Sequence, residues 1–264
     1  MKQRKIVIKP TPGDIIFLSD VHLGGYSPEK NSAIESDLIS MVRFCIEQKL
    51  RLIILGDLFD YWMEYRGHWP EYGELVLREF EHLTKLEPIL YITGNHDNWT
   101  GPRLEKAGFD IEHEYRILTI GNNKVMLLHG DGLKDAALKL PRPRFHRILR
   151  NPYFLSVYQF VFPPKLGISI MHAFSKRSKE RDTDELNSTK SIDRWALAQL
   201  NHTDLDVIIC GHFHVHRFIK NEDGLYINLG TFHSHRTVGL YTKNTFQLVR
   251  WNGEEMKFQA FGNT

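Results

Sequence analysis

Five short polar fragments of this sequence each follow a run of apolar residues. Each fragment places a glycine or serine beside aspartate, asparagine or histidine. The fragments are Ser19-Asp20-Val21-His22, Gly56-Asp57-Leu58-Phe59-Asp60, Gly94-Asn95-His96-Asp97, His129-Gly130-Asp131 and Gly211-His212-Phe213-His214. Carboxylate oxygens, an amide oxygen and imidazole nitrogens are ligands of divalent metal ions, and no thiolate joins this set. The fragments therefore predict a metal site with open coordination positions, suited to Mn, Fe, Zn or Mg.

The chemistry of such a site depends on how many metals it holds. A carboxylate can bridge two cations through its two oxygens, and Asp57 is central in the series. Two metals about 3.5–4 Å apart share a water, lower its pKa and hold both oxygens of an in-line displacement at phosphorus. His96 is a candidate acid for the leaving oxygen, because histidine titrates near neutral pH. Each fragment alone is a weak signal, since a lone histidine after a strand is more often a boundary residue.

The apolar runs before these fragments are predicted to be buried strands of an α/β protein. They cover residues 15–18, 52–55, 89–92, 124–128 and 207–210. Apolar residues at helical spacing predict helices over 32–48 and 74–86. Because sites assemble at the carboxyl ends of strands in such sheets, the fragments are expected to converge.

The remaining elements are predicted from turns and alternation. Gly121-Asn122-Asn123 is expected to join two strands in a hairpin whose turn is longer than the tightest kind. Successive antiparallel strands are expected near the C-terminus, over residues 225–229, 237–241, 245–251 and 257–261. Residues from about 133 to 200 are rich in helix formers, basic side chains and bulky apolar groups, and we interpret them as a helical insertion.

Composition limits the function classes. A hydrophobic fraction of 42% and a charged fraction of 25% are those of a globular protein, and a net charge of +2 predicts no general attraction to nucleic acid. Cys45 and Cys210 lie in apolar stretches and are predicted to be buried thiols of a reducing compartment. No signal-peptide core and no apolar run of about 20 residues is found. A cytoplasmic protein is expected.

The motifs Asp-x-His, Gly-Asp, Gly-Asn-His-Asp, His-Gly and Gly-His-x-His, in this order, resemble those of the calcineurin-like metallophosphoesterase superfamily over residues 20–214. The resemblance implies a four-layer α-β-β-α sandwich with a dinuclear centre, as one domain over 1–264 with a helical capping insertion at about 133–200. By motif, one metal is expected to bind Asp20, His22, Asp57 and His214, and the other Asp57, Asn95, His129 and His212. The resemblance also implies that His96 lies beside the leaving group, oriented by Asp97.

Residues 56–62, 129–133, 178–180 and 187–191 are further similar to the UDP-2,3-diacylglucosamine diphosphatases of lipid A synthesis. That resemblance implies hydrolysis of a lipid-linked nucleotide sugar to UMP and an acylated sugar 1-phosphate. It implies two divalent metal ions, expected to be Mn²⁺, and a peripheral position on the cytoplasmic face of the inner membrane. The implied substrate contacts are Asn95, His96, Ser178, Asn187, Lys190 and His212. Many members of that group have Arg where this chain has His96.

Alternatives stay open at this point. The apolar insertion fits a lid for an anionic lipid or a surface resting on a membrane, but composition alone favours a helical hairpin that packs on the sandwich. A metallophosphoesterase acting on another phosphoester (nucleotide, nucleic acid or phosphoprotein) is the main alternative activity, although such substrates call for polar or stacking grooves. A non-enzymatic scaffold is disfavoured because every ligand position is filled. His233 and His235 follow a strand, and a surface role is favoured for both.

Overall fold

The computed structural model describes residues 7–65, 68–70, 72–132, 135–140, 148–149, 151–179 and 185–260. The strands are β1 (Val7–Ile8), β2 (Ile15–Leu18), β3 (Arg51–Leu55), β4 (Ile89–Ile92), β5 (Phe109–Glu112), β6 (Tyr115–Ile120), β7 (Asn123–Leu128), β8 (Val207–Cys210), β9 (Arg217–Lys220), β10 (Leu225–Asn228), β11 (Thr237–Thr242), β12 (Thr245–Asn252) and β13 (Lys257–Ala260). The α-helices are α1 (Pro28–Gln48), α2 (Glu74–Thr84), α3 (Pro102–Lys106), α4 (Pro152–Val161), α5 (Pro164–Lys179), α6 (Glu185–His202) and α7 (Phe232–His235).

The strands form two sheets that lie face to face. One sheet has the order β1-β13-β12-β11-β2-β3-β4-β5 and the other the order β6-β7-β8-β10-β9. Strands β2 to β5 pair in parallel, as do β7, β8 and β10. Fully buried side chains from both sheets, including Phe17, Leu55, Leu127 and Ile209, share one apolar core between them. This shared core fixes the two sheets against each other.

Helices cover the outer face of each sheet. Buried residues of α1, such as Leu38 and Met41, pack with α2 on the first sheet. Ile192 and Ala196 of α6 pack against Ile208 on the outer face of the second sheet. The arrangement confirms the predicted four-layer α-β-β-α sandwich. Since α6 belongs to an outer layer, only the part of 133–200 before it is available to cap a site, and the capping insertion stays a prediction.

Helices α4 and α5 form a separate layer of aromatic packing. Tyr65, Trp99 and Tyr158 are buried together in a small cluster. The indole of Trp99 donates to the carbonyl of Leu149 at 2.8 Å, and the hydroxyl of Tyr158 donates to the carbonyl of Gly167 at 2.7 Å. The hydroxyl of Tyr65, in the segment that follows β3, donates to the carbonyl of Tyr158 at 3.3 Å and holds the α4–α5 hairpin against that segment. Among the described helices, none combines the length and apolar character needed to cross a bilayer.

Two details of the predicted elements are wrong. The β6–β7 turn contains only two residues, Gly121 and Asn122, because Asn123 already pairs with Ile120, and Gly121 takes a left-handed φ of 60°. Strand β10 was expected to begin an antiparallel series, but it pairs in parallel with β8 and lies in the second sheet. Its partner in the antiparallel sense is β9, an edge strand that the sequence pattern did not reveal.

Candidate metal centre

The loops after the parallel strands are joined by backbone hydrogen bonds. The amides of Val21 and His22 donate to the carbonyl of Asp57 at 2.9 and 3.0 Å, and the amide of Gly211 donates to the carbonyl of His129 at 2.9 Å. These bonds continue the pairing beyond the strands and tie the fragments into one rigid edge. The predicted convergence of the five fragments is what the structure shows.

The backbone of this edge is strained in a way that points to function. Five residues with side chains adopt left-handed φ values between 49° and 73°, a conformation that is uncommon outside glycine. They are Asp20, His22, Asp57, His212 and His214. Each such residue costs free energy, so it persists only where the surroundings enforce it, and such residues cluster at functional sites.

Glycines let the loops approach the carboxylates closely. A Cβ on Gly94 would lie 2.0 Å from Oδ1 of Asp57, and a Cβ on Gly211 would lie 2.4 Å from Oδ2 of Asp20. Both distances are shorter than any real contact, so only glycine fits at these two positions. The glycines of these two motifs therefore allow the loops to pack closely against the carboxylates of Asp57 and Asp20.

Asp20, His22 and His214 form the first group of candidate ligands. Nε2 of His214 lies 3.4 Å from Oδ1 of Asp20 and 3.1 Å from Nε2 of His22. One ligand atom from each of the three residues falls within 4.8 Å of the others. Asp20 and His22 are buried, whereas His214 is partly exposed.

Asp57, His129 and His212 form a second group of the same kind. Nε2 of His129 lies 3.3 Å from Oδ2 of Asp57 and 3.2 Å from Oδ1 of Asn95. Nδ1 of His129 lies 2.7 Å from the carbonyl oxygen of Leu55. A proton on Nδ1 donated to that carbonyl leaves Nε2 as the atom that faces a metal.

Asp57 lies between the two groups. Its Oδ2 is 3.6 Å from Nε2 of His22 as well as 3.3 Å from His129. His22, Asp57 and His96 also have ligand atoms within 4.8 Å of one another. The geometry suits a carboxylate shared by two cations.

The loop that carries His96 is fixed by two carboxylates. The amide of His96 donates to Oδ1 of Asp57 at 3.0 Å, and Nδ1 of His96 lies 2.7 Å from the carbonyl oxygen of Asp60. Buried Asp97 accepts from the amides of Leu58 at 2.8 Å and Gly94 at 2.7 Å, and also from the hydroxyl of Tyr91. Asp97 therefore ties the loops together, and its predicted role in orienting the His96 ring stays a prediction.

The electrostatics of the cluster fit bound cations. Burial raises the pKa of Asp20, but the hydrogen bond and charge of His214 outweigh it and bring the pKa to about 2. Burial lowers the pKa of His129, but the charge of Asp57 outweighs it and raises the pKa to about 10, so a metal ion that binds Nε2 would replace a proton there. Burial and the charge of His129 lower the pKa of His212 to about 3. Buried carboxylates held ionised beside imidazoles are a donor set that divalent ions match.

Comparison with known families decides the assignment. Residues 13–216 match the family model of the calcineurin-like phosphoesterases. This chain belongs to that family. It is a metal-dependent phosphoester hydrolase, as the motifs predicted.

Two similar proteins share one name, and one solved structure has a similar fold. A UDP-2,3-diacylglucosamine hydrolase of Serratia proteamaculans (strain 568) is 25% identical over 245 residues, covering 89% of this chain and 98% of that protein. The protein of the same name from Aliivibrio fischeri (strain MJ11) is 26% identical over 246 residues, covering 89% and 97%. Among solved structures, the phosphoesterase Yfce from E. coli is 14% identical, covers 95% of this chain and 100% of its own, and has a TM-score of 0.48.

The structure describes only some of the side chains that are predicted to contact the substrate. Ser178 and Asn187 fall in α5 and α6, but their side chains lie outside the described residues. Lys190 is exposed in α6. Asn95 and His212 lie in the cluster, and their contact with the substrate stays a prediction.

Sequence reasoning gave no role to Asp60 and favoured a surface role for His233. Oδ1 of Asp60 lies 3.2 Å from Nδ1 of His22, opposite the nitrogen that faces the candidate metal position. The ring of His233 lies against His22 and His214, with centroid distances of 5.7 and 5.5 Å. The signal for Asp60 was its place in the Gly-Asp-x-x-Asp fragment, whereas nothing in the sequence separated His233 from exposed His235.

Proposed function

We propose that this phosphoesterase hydrolyses the pyrophosphate bond of UDP-2,3-diacylglucosamine or a similar lipid-linked nucleotide sugar, giving UMP and an acylated sugar 1-phosphate. The name carried by the similar proteins supports the substrate class. The observation that carries the proposal is the apolar α4–α5 hairpin, which packs on the chain segment that follows Asp60. A lipid substrate needs an apolar surface and the metal centre within the length of one molecule.

Tyr61 connects the hairpin to the loop that carries Asp60. Tyr61 follows Asp60 in sequence, and Asp60 contacts His22. The hydroxyl of Tyr61 lies 3.4 Å from the carbonyl oxygen of Ile168 in α5, and its ring centre lies 5.5 Å from that of His172. Helix α5 therefore lies over the chain segment that leads out of the metal centre, where the acyl-sugar end of the substrate is proposed to bind.

Helix α4 is apolar on both sides. One side, including Phe154 and Tyr158, packs in the aromatic cluster with Tyr65. The opposite side leaves Tyr153, Val157 and Phe160 exposed by 82%, 62% and 80%. A helix that buries one apolar face and exposes a second has a surface for a further apolar partner. Acyl chains and the membrane that contains them are the partners proposed here.

The chain's residues are proposed to hold two divalent ions, expected to be Mn²⁺, with the ligands predicted from the sequence. Two such ions, when bound, supply an activated water and neutralise charge on the phosphate. Asp57 holds both positions together, and the bond from His129 Nδ1 to Leu55 fixes the tautomer that can ligate. His96, fixed by the carbonyl of Asp60, is proposed to give a proton from Nε2 to the leaving oxygen.

We also propose that the protein works at the cytoplasmic face of the inner membrane as a peripheral protein. The exposed face of α4 would rest on the lipid surface. Flotation with vesicles of phosphatidylethanolamine and phosphatidylglycerol tests this. Phe160→Ser should reduce the bound fraction, whereas Ser156→Ala on the same helix should not. Equal flotation of the two variants contradicts the membrane proposal.

The substrate itself is tested by turnover in manganese. Purified protein is assayed for UMP release from UDP-2,3-diacylglucosamine, with bis(p-nitrophenyl) phosphate as a generic phosphodiester in parallel. Efficient UMP release that stops with EDTA supports the proposal. Cleavage of the generic ester alone keeps the metal site and rejects the lipid substrate in favour of another phosphoester.

A further inference from the structure

His233 lies on the short helix α7, whose backbone is hydrogen-bonded to the loop that carries Asp20. The amides of Phe232 and His233 donate to the carbonyl of Asp20 at 3.2 and 3.4 Å. At the other end, Nη1 of Arg236 donates to the carbonyl of His233 at 2.6 Å, while Nε of the same Arg236 lies 2.6 Å from Oδ2 of Asp37. The position of His233 relative to Asp20 is therefore fixed from both sides.

Within the described part of the chain, one imidazole nitrogen of His233 has a hydrogen-bond partner and the other has none. Nδ1 lies 2.7 Å from the hydroxyl oxygen of Ser234. Nε2 is shielded from solvent and has no hydrogen-bond partner among the described residues. Buried polar atoms are normally paired, and an unpaired one calls for an explanation such as a bound group. Since the ring packs edge-on against His22 and His214, that group would lie at the Asp20 side of the centre.

The surroundings of His233 include a cation, Lys30, as well as the Asp20 carboxylate that the proposed metal ions would neutralise. Its ring lies 5.0 Å from that of Tyr26, and the ammonium group of Lys30 lies 3.7 Å from the centre of the Tyr26 ring. Lys30 thus brings a positive charge to the rim on which His233 lies. A neutral donor beside a cation suits a phosphoryl oxygen.

We infer that Nε2 of His233 donates a hydrogen bond to a phosphoryl oxygen of the substrate bound at the Asp20, His22 and His214 group. This inference rests on the proposed metal positions and not on the proposed lipid. It makes His233 a phosphate-binding residue of the phosphoesterase, in addition to the residues that its sequence motifs indicate.

The chain provides a matched control on the same helix. His235 is exposed, and its Nδ1 lies 3.0 Å from the hydroxyl of Thr231. Three variants are compared, namely His233→Ala, His233→Gln and His235→Ala. Metal content is measured by mass spectrometry, the affinity for inorganic phosphate by calorimetry on the manganese-loaded protein, and kcat/KM on bis(p-nitrophenyl) phosphate.

We expect His233→Ala to keep its metals and its Tm and to bind inorganic phosphate about 10- to 100-fold more weakly, as for loss of a hydrogen bond to a charged group. His233→Gln keeps an N–H donor and should recover part of that loss, and His235→Ala should match the wild type. Unchanged phosphate affinity in His233→Ala, or loss of metal from it, overturns the inference. Because none of the three readouts uses the lipid substrate, failure of UMP release leaves this result unaffected.

Discussion

Asp57 lies between the two candidate ligand groups, within 3.6 Å of His22 in the first and 3.3 Å of His129 in the second, and the two-metal arrangement depends on it. Asp57→Asn keeps the shape of the side chain but removes the charge that faces His22 and His129. We expect metal affinity to fall by more than about 100-fold, since loss of a ligand costs more than loss of a group behind one. Metal content after dialysis measures the effect, and two tightly bound ions in this variant would contradict the assignment.

Asp60 provides a graded comparison at the same scale. Its contact is with Nδ1 of His22, so it orients a ligand without being one. Asp60→Asn should weaken metal binding by about 10- to 100-fold and recover full loading at high manganese. Titration of activity against manganese concentration separates the two variants. An Asp60→Asn curve that matches Asp57→Asn would place Asp60 among the ligands.

His96 is close enough to Asp57 and His22 for two roles, and one variant separates them. If His96 is the acid, His96→Ala retains its metals and loses about 100-fold or more in turnover of esters with poor leaving groups. The loss should be smaller for p-nitrophenyl esters, whose leaving group needs no proton. Loss of a metal from His96→Ala would instead make it a ligand.

The two cysteines allow a prediction that is independent of the metal centre. Burial raises the pKa of both Cys45 and Cys210 to about 12. A raised pKa keeps the thiols protonated at pH 8, and the thiolate is the reactive form. We expect Ellman's reagent to leave the native protein unmodified at pH 8 and to titrate both thiols after denaturation. Rapid reaction of either thiol in the native protein would contradict its buried position.

At the residue scale, sequence reasoning could predict which side chains meet because they follow strands, but not how the loops turn. Asp60 lies 3.2 Å from His22 in loops where Asp20, His22 and Asp57 take left-handed conformations that no sequence pattern predicts. His233 reaches the cluster through hydrogen bonds of its backbone to the Asp20 carbonyl. Neither contact leaves a periodic signal in the sequence.

At the scale of elements, the α4–α5 hairpin depends on one glycine. A Cβ on Gly167 would lie 2.8 Å from Cε2 of Tyr65 and 3.2 Å from the ring of Tyr158. Gly167→Val should therefore push α5 away from Tyr65, at a cost of about 1–3 kcal/mol. We expect faster amide exchange over 151–173 and a selective loss of turnover on the lipid substrate, with the generic phosphodiester cleaved at the wild-type rate.

The matched control is Ser169→Val, because Ser169 is exposed on the same helix. It adds the same side chain without touching Tyr65 and should behave as the wild type. Equal losses on both substrates in Gly167→Val would mean that the change disturbs the sandwich and not the hairpin alone.

Element prediction succeeded where one face of a segment is buried and failed where partners are distant in sequence. Helix α1 begins at Pro28, four residues before the predicted start, because Ser27 caps it and proline is favoured at the first turn. The place of β10 beside β8 could not be predicted, since an apolar run does not state which sheet it joins. The hairpin turn was predicted one residue too long, because Gly121 takes a left-handed φ that lets two residues close the loop.

At the scale of the whole molecule, the metal centre joins the two sheets. Asp20, His22 and Asp57 follow strands of the first sheet, whereas His129 and His212 follow strands of the second. A cation bound by residues from both sheets links the two halves of the sandwich, and it does so in the folded state only. Metal binding should therefore stabilise the entire fold and not the loops alone.

Thermal unfolding with and without manganese measures this link. Ligand at a free concentration of 100 times its Kd stabilises by about 2.7 kcal/mol, which corresponds to about 5 to 10 °C in Tm for a chain of this length. We expect EDTA to remove this increase and Asp57→Asn to lack it, because that variant no longer joins both groups. A wild-type Tm that stays constant while two metals bind would mean that the unfolded chain binds them as tightly as the folded chain, which contradicts a link that exists in the folded state only.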